Sequence, residues 1–250
     1  MTPDTGAFET TSDWLLNETI SLKQQKRGYR AGLDAVLLAG SIMAKPKDKL
    51  LEAGCGAGAA LLCAATRLQE CRFSGLERDG RMLALAKENV TANGLEARVE
   101  VFEGDVSFRP DDFLNAYDHV FANPPYFDPD AIQTLGEGKD GAYLADVSLE
   151  VWLKFMLHAV RPKGRVTLVH RAAALGDILA FMLTRFGEIQ VMPIKPYAGQ
   201  PAKRILVTAR KSLRKGDVVL YDGLTLYDGP DRTLTSRAAA LMDGAELEWR

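Results

Sequence analysis

The sequence predicts an α/β protein in which a parallel sheet carries helices on both faces. Two observations support this prediction. From residue 48, short apolar runs alternate with stretches whose apolar residues recur at helical spacing, a pattern typical of strand–helix–strand units. The first apolar run also leads into the glycine-rich stretch "AGCGAGAA", which is typical of the turn between a first strand and a first helix. Such sheets bind ligands at the carboxyl ends of their strands.

Each element is predicted from its own pattern. The first half contains, in order, strand "KLLEAG", helix "GAALLCAATRLQ", strand "RFSGLE", helix "GRMLALAKENVTANG", and strands "RVEVFEGD" and "AYDHVFAN". The second half contains helix "VSLEVWLKFMLHAV", strand "GRVTLVH", helix "AAALGDILAFMLTRF", and strands "EIQVMPI" and "KRILVTAR". Asn93 and Gly94 end the second helix and Pro162 ends the third, because glycine favours a helix end and proline cannot continue one.

Two segments lie outside the alternating domain, which occupies residues 46–212. Residues 1–45 end in the apolar helical stretch "DAVLLAGSIMA", and residues 213–250 form a C-terminal extension. In that extension two apolar runs flank Asp-Gly in "DVVLYDGLTLYDGP", which predicts a hairpin. Residues 127–145 contain several glycines and acids and predict a mobile flap beside the strand ends.

Composition argues against several classes of protein. The net charge is -2, so the whole molecule offers no electrostatic attraction to nucleic acid. Three cysteines without a C-x-x-C pair and three scattered histidines argue against a metal site or disulfides, and reduced thiols fit a cytoplasmic location. The N-terminus lacks the apolar core of a signal peptide. The most apolar stretch carries Glu52 and is too short to span a membrane. Nothing in the sequence indicates the oligomeric state.

Three glycines mark a ligand site at the first strand-to-helix turn. Gly54, Gly56 and Gly58 allow a ligand to approach the backbone, and the following helix offers free N–H groups. Gly54, Gly56 and Ala59 also satisfy the G-x-G-x-x-A form of a nicotinamide-binding fingerprint. The glycines alone leave both cofactors open.

Three acids at strand ends favour S-adenosylmethionine over NAD. Glu77 can accept both ribose hydroxyls, and Asp105, followed by Val106, can accept a hydrogen bond from an adenine amino group. Glu52 lies just ahead of the glycines, where a carboxylate would repel a diphosphate but suit the cationic methionine end of S-adenosylmethionine. The alternative interpretation is that Glu52 and Asp105 are ordinary solvated acids at strand ends.

The block 48–170 resembles a class I S-adenosylmethionine-dependent methyltransferase. The glycine loop, the second-strand acid, the third-strand Asp and "NPPY" after the fourth strand occur in the order typical of that superfamily. The resemblance implies a Rossmann-like sheet that is mostly parallel with an antiparallel last strand. The remaining alternatives are a nicotinamide-dependent oxidoreductase or a nucleotide-binding module without chemistry.

The segment Asn123-Pro124-Pro125-Tyr126 is predicted to hold the target nitrogen. The Asn123 side-chain oxygen and the Pro124 carbonyl can accept the amino hydrogens, and the two proline rings fix their direction. Tyr126 can stack on a flat base, worth roughly 1–3 kcal/mol, and Phe127 can add a second face. A plain strand terminator is the structural alternative.

The methylated group remains open at this point, because relatives with this motif act on adenine in DNA or RNA, guanine N2 in ribosomal RNA, or protein glutamine. The stretch "LKQQKRGYRAGLDAVLLAG" resembles the bacterial tRNA(Val) adenine-N6 methyltransferase family, and the resemblance covers about residues 15–212. It implies that the N-terminal segment covers cofactor and substrate. Tyr29, Arg30 and Asp34 would then line the methionine end or the pocket mouth, and Asp34 can cap the following helix, alone or in addition to that role.

Local charge agrees with a tRNA substrate. Residues 195–215 carry seven Lys or Arg and no acid, and residues 22–30 carry four and no acid. If both stretches lie near the strand ends, they would form a phosphate-binding rim that includes Lys203 and Arg204.

Overall fold

The computed structural model describes residues 9–27, 30–126, 147–211 and 217–249. In these residues the elements follow the predicted alternation. They are β1 Thr10–Leu15, β2 Ile20–Gln25, α1 Leu33–Gly40, β3 Lys49–Ala53, α2 Ala59–Arg67, β4 Arg72–Glu77, α3 Gly80–Ala92, β5 Val99–Glu103, β6 Tyr117–Ala122, α4 Leu149–Ala159, β7 Val160–Arg171, α5 Leu175–Met182, β8 Gly187–Tyr197, β9 Arg204–Arg210, β10 Val218–Leu220, β11 Leu224–Tyr227 and α6 Ser236–Met242.

The central sheet has the strand order β10-β8-β9-β7-β6-β3-β4-β5, with β11 also paired to β8. Strands β5, β4, β3, β6 and β7 are parallel, whereas β9 runs antiparallel to both β7 and β8. The predicted Rossmann-like sheet with an antiparallel last strand is therefore confirmed. The chain progresses outward in opposite directions from β3 and β6, so the crevice for a ligand opens between their carboxyl ends.

Both faces of the sheet are covered, which explains the continuous apolar runs of the central strands. On one face α1, α2 and α3 pack around Leu37, Leu61 and Ala86. On the other face α4 and α5 pack around Phe155 and Ile178. No helix in the described part of the chain is long and apolar enough to cross a membrane.

An N-terminal hairpin of β1 and β2 was not predicted. It is docked onto α3 by two asparagines one helical turn apart. Asn93 accepts from the amide of Ser21 at 3.0 Å and donates to its carbonyl at 2.8 Å. Asn89 makes the same two bonds with Lys23, both at 2.8 Å. The two side chains thus pair with the main-chain N–H and C=O groups of Ser21 and Lys23, as a neighbouring strand would.

The predicted C-terminal hairpin is wrong, because β10 and β11 both lie parallel to β8 and form an interrupted edge strand. The chain bends between them at Gly223, whose φ is 107°. A Cβ at Gly223 would lie 2.5 Å from the Pro193 carbonyl oxygen. Pro193 in β8 has no N–H for an edge partner, so the pairing breaks opposite it. Asp-Gly therefore kinks one strand instead of reversing the chain.

The end of the extension returns to α1. Leu247 donates its amide to the Gly40 carbonyl at 2.9 Å, and the Trp249 indole donates to the Ser41 carbonyl at 3.2 Å. Leu241 of α6 packs against Gly40. The extension thus supports the helix that carries Asp34. The predicted flap at 127–145 lies outside the described residues.

Candidate active site at the carboxyl edge

The glycine loop follows β3 and depends on glycine for conformation and packing. Gly54, Gly56 and Gly58 have φ values of 67°, 55° and 91°, a region that other residues enter at a cost. A Cβ on Gly54 would lie 2.3 Å from the ring of Trp152, whereas Gly56 has nothing within 4 Å of that position. The loop is therefore packed tightly on one side and open to a ligand at Gly56.

Glu77 at the end of β4 ties this loop to the next helix. One carboxylate oxygen accepts from the Gly56 amide and the other from the Asp79 amide, both at 2.8 Å. Asp79 in turn caps α3 through the amides of Arg81 and Met82. A carboxylate held in this way keeps acceptor capacity for two hydroxyl groups.

Asp105 lies beyond the end of β5 on the same side. Its carboxylate accepts from the Ser107 amide at 2.7 Å and lies 3.5 Å from Arg78. Partial burial acts to raise the pKa of Asp105, but these hydrogen bonds and the Arg78 charge outweigh it and lower the pKa. Asp105 is thus a stable acceptor, and Val106 beside it is buried.

Glu52 is a buried acid beneath the loop, with only 3% of its surface exposed. Burial, together with repulsion from Glu77, raises its pKa well above the usual value, against a hydrogen bond from the Leu61 amide. Within the described residues its Oε2 atom has no hydrogen-bond partner. A buried carboxyl group in this state gains from a cationic ligand.

The clamp segment, Asn123 to Tyr126, leaves β6 beside this loop. Asn123 is half-buried, Pro124 is buried and Pro125 is exposed. The Tyr126 hydroxyl donates to Asp34 Oδ2 at 2.9 Å. The Tyr126 ring meets His170 of β7 edge-on, with centroids 5.0 Å apart. Burial lowers the pKa of His170 to about 4, so this neighbour is neutral near pH 7.

Asp34 also forms an ion pair with Arg204 at the start of β9. Burial acts against the charge of Arg204, but Asp34 outweighs it and raises the arginine's pKa. Asp34 lies in the first turn of α1, whose N-cap is Gly32. Its carboxylate faces Tyr126 and Arg204, so the interpretation of Asp34 as a helix cap is wrong.

The remaining predicted site residues have other contacts in the described part of the structure, or lie outside it. Arg30 donates to Thr11 at 2.7 Å and pairs with Asp13 at 2.7 Å, so its guanidinium is held by the N-terminal hairpin. Lys203 is exposed at the edge where β9 begins. Tyr29 and Phe127 lie outside the described residues.

Only part of the basic stretch 195–215 lies at the carboxyl edge, because β9 runs from that edge of the sheet to the opposite one. Lys195, Lys203 and Arg204 lie at the carboxyl edge, but Arg210 pairs with Arg165 at the opposite edge. Beside it Lys211 donates to main-chain oxygens at the end of α4. In the N-terminal stretch Lys23 and Lys26 pair with acids.

Sequence reasoning missed three residues that support the site. His170 contacts Tyr126, Trp152 packs on Gly54, and Asn89 donates to the Ala57 carbonyl at 2.9 Å. Of these three, only Asn89 could have been identified from sequence. Asn89 and Asn93 place two amide side chains one turn apart on the face of α3 that carries Leu85 and Ala86. In the described ranges there is no group of three or more His, Cys, Asp or Glu that could hold a metal.

The strand order, the glycine loop and the clamp at the switch point together define a Rossmann-like methyltransferase. Residues 32–136 match the methyltransferase small domain family. The chain is 30% identical over 183 residues to the tRNA1(Val) (adenine(37)-N6)-methyltransferase of Yersinia enterocolitica, covering 72% of each protein. It is 25% identical over 212 residues to that of Haemophilus influenzae, covering 84% of this chain and 89% of the relative. The chain belongs to this methyltransferase family.

Solved structures agree with the fold. An Agrobacterium tumefaciens crystal structure described as a predicted O-methyltransferase superposes with a TM-score of 0.72 at 26% identity, covering 87% of this chain and 99% of that one. Pyrococcus horikoshii TYW2 has a TM-score of 0.55 at 14% identity and covers 82% and 72%, which supports the fold alone.

Proposed function

We propose that the protein is an S-adenosylmethionine-dependent methyltransferase that modifies the exocyclic N6 amino group of an adenine in tRNA. The observation that carries the proposal is the clamp segment, which places an amide and a proline carbonyl at the carboxyl end of β6, directly beside the glycine loop. The names of the relatives support tRNA as the substrate and N6 as the acceptor.

The residues around the loop fit this cofactor. The unpartnered oxygen of Glu52 suits a cationic end group, and the open space at Gly56 lets a ligand approach the main chain. Glu77 would hold the ribose hydroxyls and Asp105 the adenine amino group. When bound, S-adenosylmethionine supplies an electrophilic methyl group.

The clamp makes a poor nucleophile reactive by position. The lone pair of an adenine amino group is delocalised into the ring. If Asn123 and Pro124 each accept one amino hydrogen, they favour a pyramidal nitrogen with its lone pair directed at the methyl group. No titrating base is required, because the extra proton leaves after transfer. This agrees with the neutral His170 beside Tyr126.

Location and partners complete the proposal. The three cysteines are free and buried, as suits a protein of the reducing cytoplasm. A loop adenine of tRNA, already unstacked, costs least to present to the clamp.

The test is to incubate the purified protein with labelled S-adenosylmethionine and, separately, unmodified tRNA, ribosomal RNA, DNA and release factor, followed by nucleoside or amino-acid analysis. We expect N6-methyladenosine in tRNA, formed at least about a hundredfold more slowly with Asn123→Ala. Label in guanine N2 or protein glutamine, with none in tRNA, would contradict the proposal.

A further inference from the structure

Tyr126 is held by two parts of the chain that lie far from it in sequence. Its hydroxyl donates to Asp34 of α1 at 2.9 Å, and Arg204 of β9 pairs with the other oxygen of the same carboxylate. The N-terminal segment, the clamp and the antiparallel strand therefore meet at one carboxylate.

The carboxylate is fixed because both of its oxygens are engaged. Oδ2 accepts from Tyr126 and Oδ1 contacts Arg204. The side chains of Asp34 and Arg204 are 12% and 38% exposed, so water competes little for the acid. Asp34 Oδ1 and Arg204 Nε form an ion pair without hydrogen-bond geometry, so Arg204 holds this oxygen by electrostatic attraction. Rotating the carboxylate would break either this contact or the Tyr126 bond.

The clamp needs such a support at its far end. Proline rings restrict the backbone from Asn123 to Pro125, but they do not fix the side-chain torsions of Tyr126. Its ring is fixed instead by the Asp34 bond at the hydroxyl and by the edge contact with His170. A wall that is ordered before the base arrives loses less entropy when it stacks.

We infer that Asp34 and Arg204 are positioning residues that hold the Tyr126 ring as a preformed wall of the base pocket. This inference rests on the proposed function and assigns both residues a role different from cofactor or phosphate binding. Asp34 acts through Tyr126, and Arg204 acts through Asp34 and through its own contact with the Tyr126 hydroxyl. No covalent step involves either residue.

A matched control exists at the opposite end of the sheet. Asp118 of β6 forms an ion pair with Arg161 of β7, and its other oxygen accepts from the Lys49 amide at 2.8 Å. The side chains are 21% and 48% exposed, similar to Asp34 and Arg204. Arg161→Met therefore removes a comparable ion pair far from the clamp.

The first experiment measures turnover at saturating tRNA and S-adenosylmethionine. We expect Tyr126→Phe, Asp34→Ala and Arg204→Met each to lower kcat about tenfold, and Arg161→Met to change it less than twofold. The double variant Asp34→Ala/Tyr126→Phe should be no more than twofold slower than the slower single variant, because both remove the same bond. Asp34→Asn keeps an acceptor and should recover part of the loss. If the loss of kcat in the double variant equals the product of the two single losses, the inference is overturned.

Calorimetry with S-adenosylhomocysteine separates this role from cofactor binding. We expect all five single variants to bind it within twofold of the unmodified protein. Loss of binding in Asp34→Ala with normal binding in Tyr126→Phe would make Asp34 a cofactor ligand and overturn the inference.

A readout without RNA distinguishes failure of the inference from failure of the proposed function. With 3-fluorotyrosine at position 126, the fluorine resonance should be single and narrow in the unmodified protein and in Arg161→Met. It should shift or broaden in Asp34→Ala and Arg204→Met. An unchanged resonance in both variants overturns the inference, whatever the substrate is. Absence of tRNA methylation by the unmodified protein overturns the proposed function instead.

Discussion

The two sides of the active-site crevice are built in different ways. The proposed cofactor side, residues 49–107, is stabilised by short-range contacts, such as Glu77 with the amides of Gly56 and Asp79. The clamp side, Asn123 to Tyr126 with its supports, depends on Asp34 and Arg204, which belong to distant parts of the chain. One side is organised by a continuous stretch of sequence, and the other only by the completed fold.

This difference separates two kinds of defect. Changes on the cofactor side should affect cofactor affinity and local packing together. Changes in the clamp should leave cofactor affinity intact and affect turnover. Substitutions on each side of the crevice test that division.

The largest effect is expected for Gly54→Ala on the cofactor side. The new Cβ would collide with Trp152 and require a left-handed backbone. Overpacking costs about 1–3 kcal/mol and the backbone about 1–2 kcal/mol, so the free energy of unfolding should fall by about 2–5 kcal/mol. Urea denaturation and calorimetry with S-adenosylhomocysteine measure both losses. A stable variant with normal affinity would show that the loop is not packed as described.

Asn123→Ala tests the clamp side. It should leave affinity for S-adenosylhomocysteine nearly unchanged and raise the barrier to methyl transfer by about 2.7–4 kcal/mol, by analogy with the loss of one oxyanion donor. Single-turnover kinetics measure this barrier. If cofactor binding and turnover fell in parallel, the division between the two sides would not hold.

A third prediction concerns pH. His119 of β6 contacts the Met43 carbonyl at 3.0 Å and Thr167 of β7 at 2.8 Å. Burial lowers its pKa to about 3, below the unfolded value of about 6.5. The unfolded chain therefore binds the proton first. The resulting stability is complete above pH 6.5 and is lost as the pH falls toward 3.

Between pH 7 and pH 5 this one histidine should lower the free energy of unfolding by about 2 kcal/mol. Urea midpoints at the two pH values measure the change, and His119→Gln should reduce it. An equal pH dependence in that variant would assign the loss to other groups.

The smallest effect is expected at the surface. Lys203→Glu at the carboxyl edge should weaken tRNA binding and reduce the slope of log affinity against log salt by about one. Lys163→Glu is the control, since Lys163 is exposed beside Lys211 at the opposite edge. Equal effects of the two substitutions would indicate a general charge effect instead of a binding edge.

The same contrast explains what could be predicted from sequence. The positions of Gly54, Glu77 and Asp105 at strand ends were predictable because each residue follows a strand pattern, and their cofactor roles stay a prediction. The contact of Tyr126 with Asp34 and Arg204 was not predictable, because no local pattern specifies which distant side chains meet.

The two terminal segments show the same limit. The turn of the N-terminal hairpin, Leu16 to Glu18, contains no glycine, although all three residues have positive φ, so turn chemistry did not reveal it. In the C-terminal extension Asp-Gly did suggest a turn, but Pro193 of β8 determines how the segment pairs. In both cases a tertiary contact overrides the local preference.

The bonds from Leu247 and Trp249 to the end of α1 have a consequence for biosynthesis. Every described residue of the crevice is translated before them, yet the helix that carries Asp34 gains these partners only after residue 249 has left the ribosome. A nascent chain that stops before Leu247 contains all the described crevice residues but lacks these bonds to α1. Complete support of the helix that carries Asp34 is therefore acquired later than the crevice residues that precede the extension in the chain.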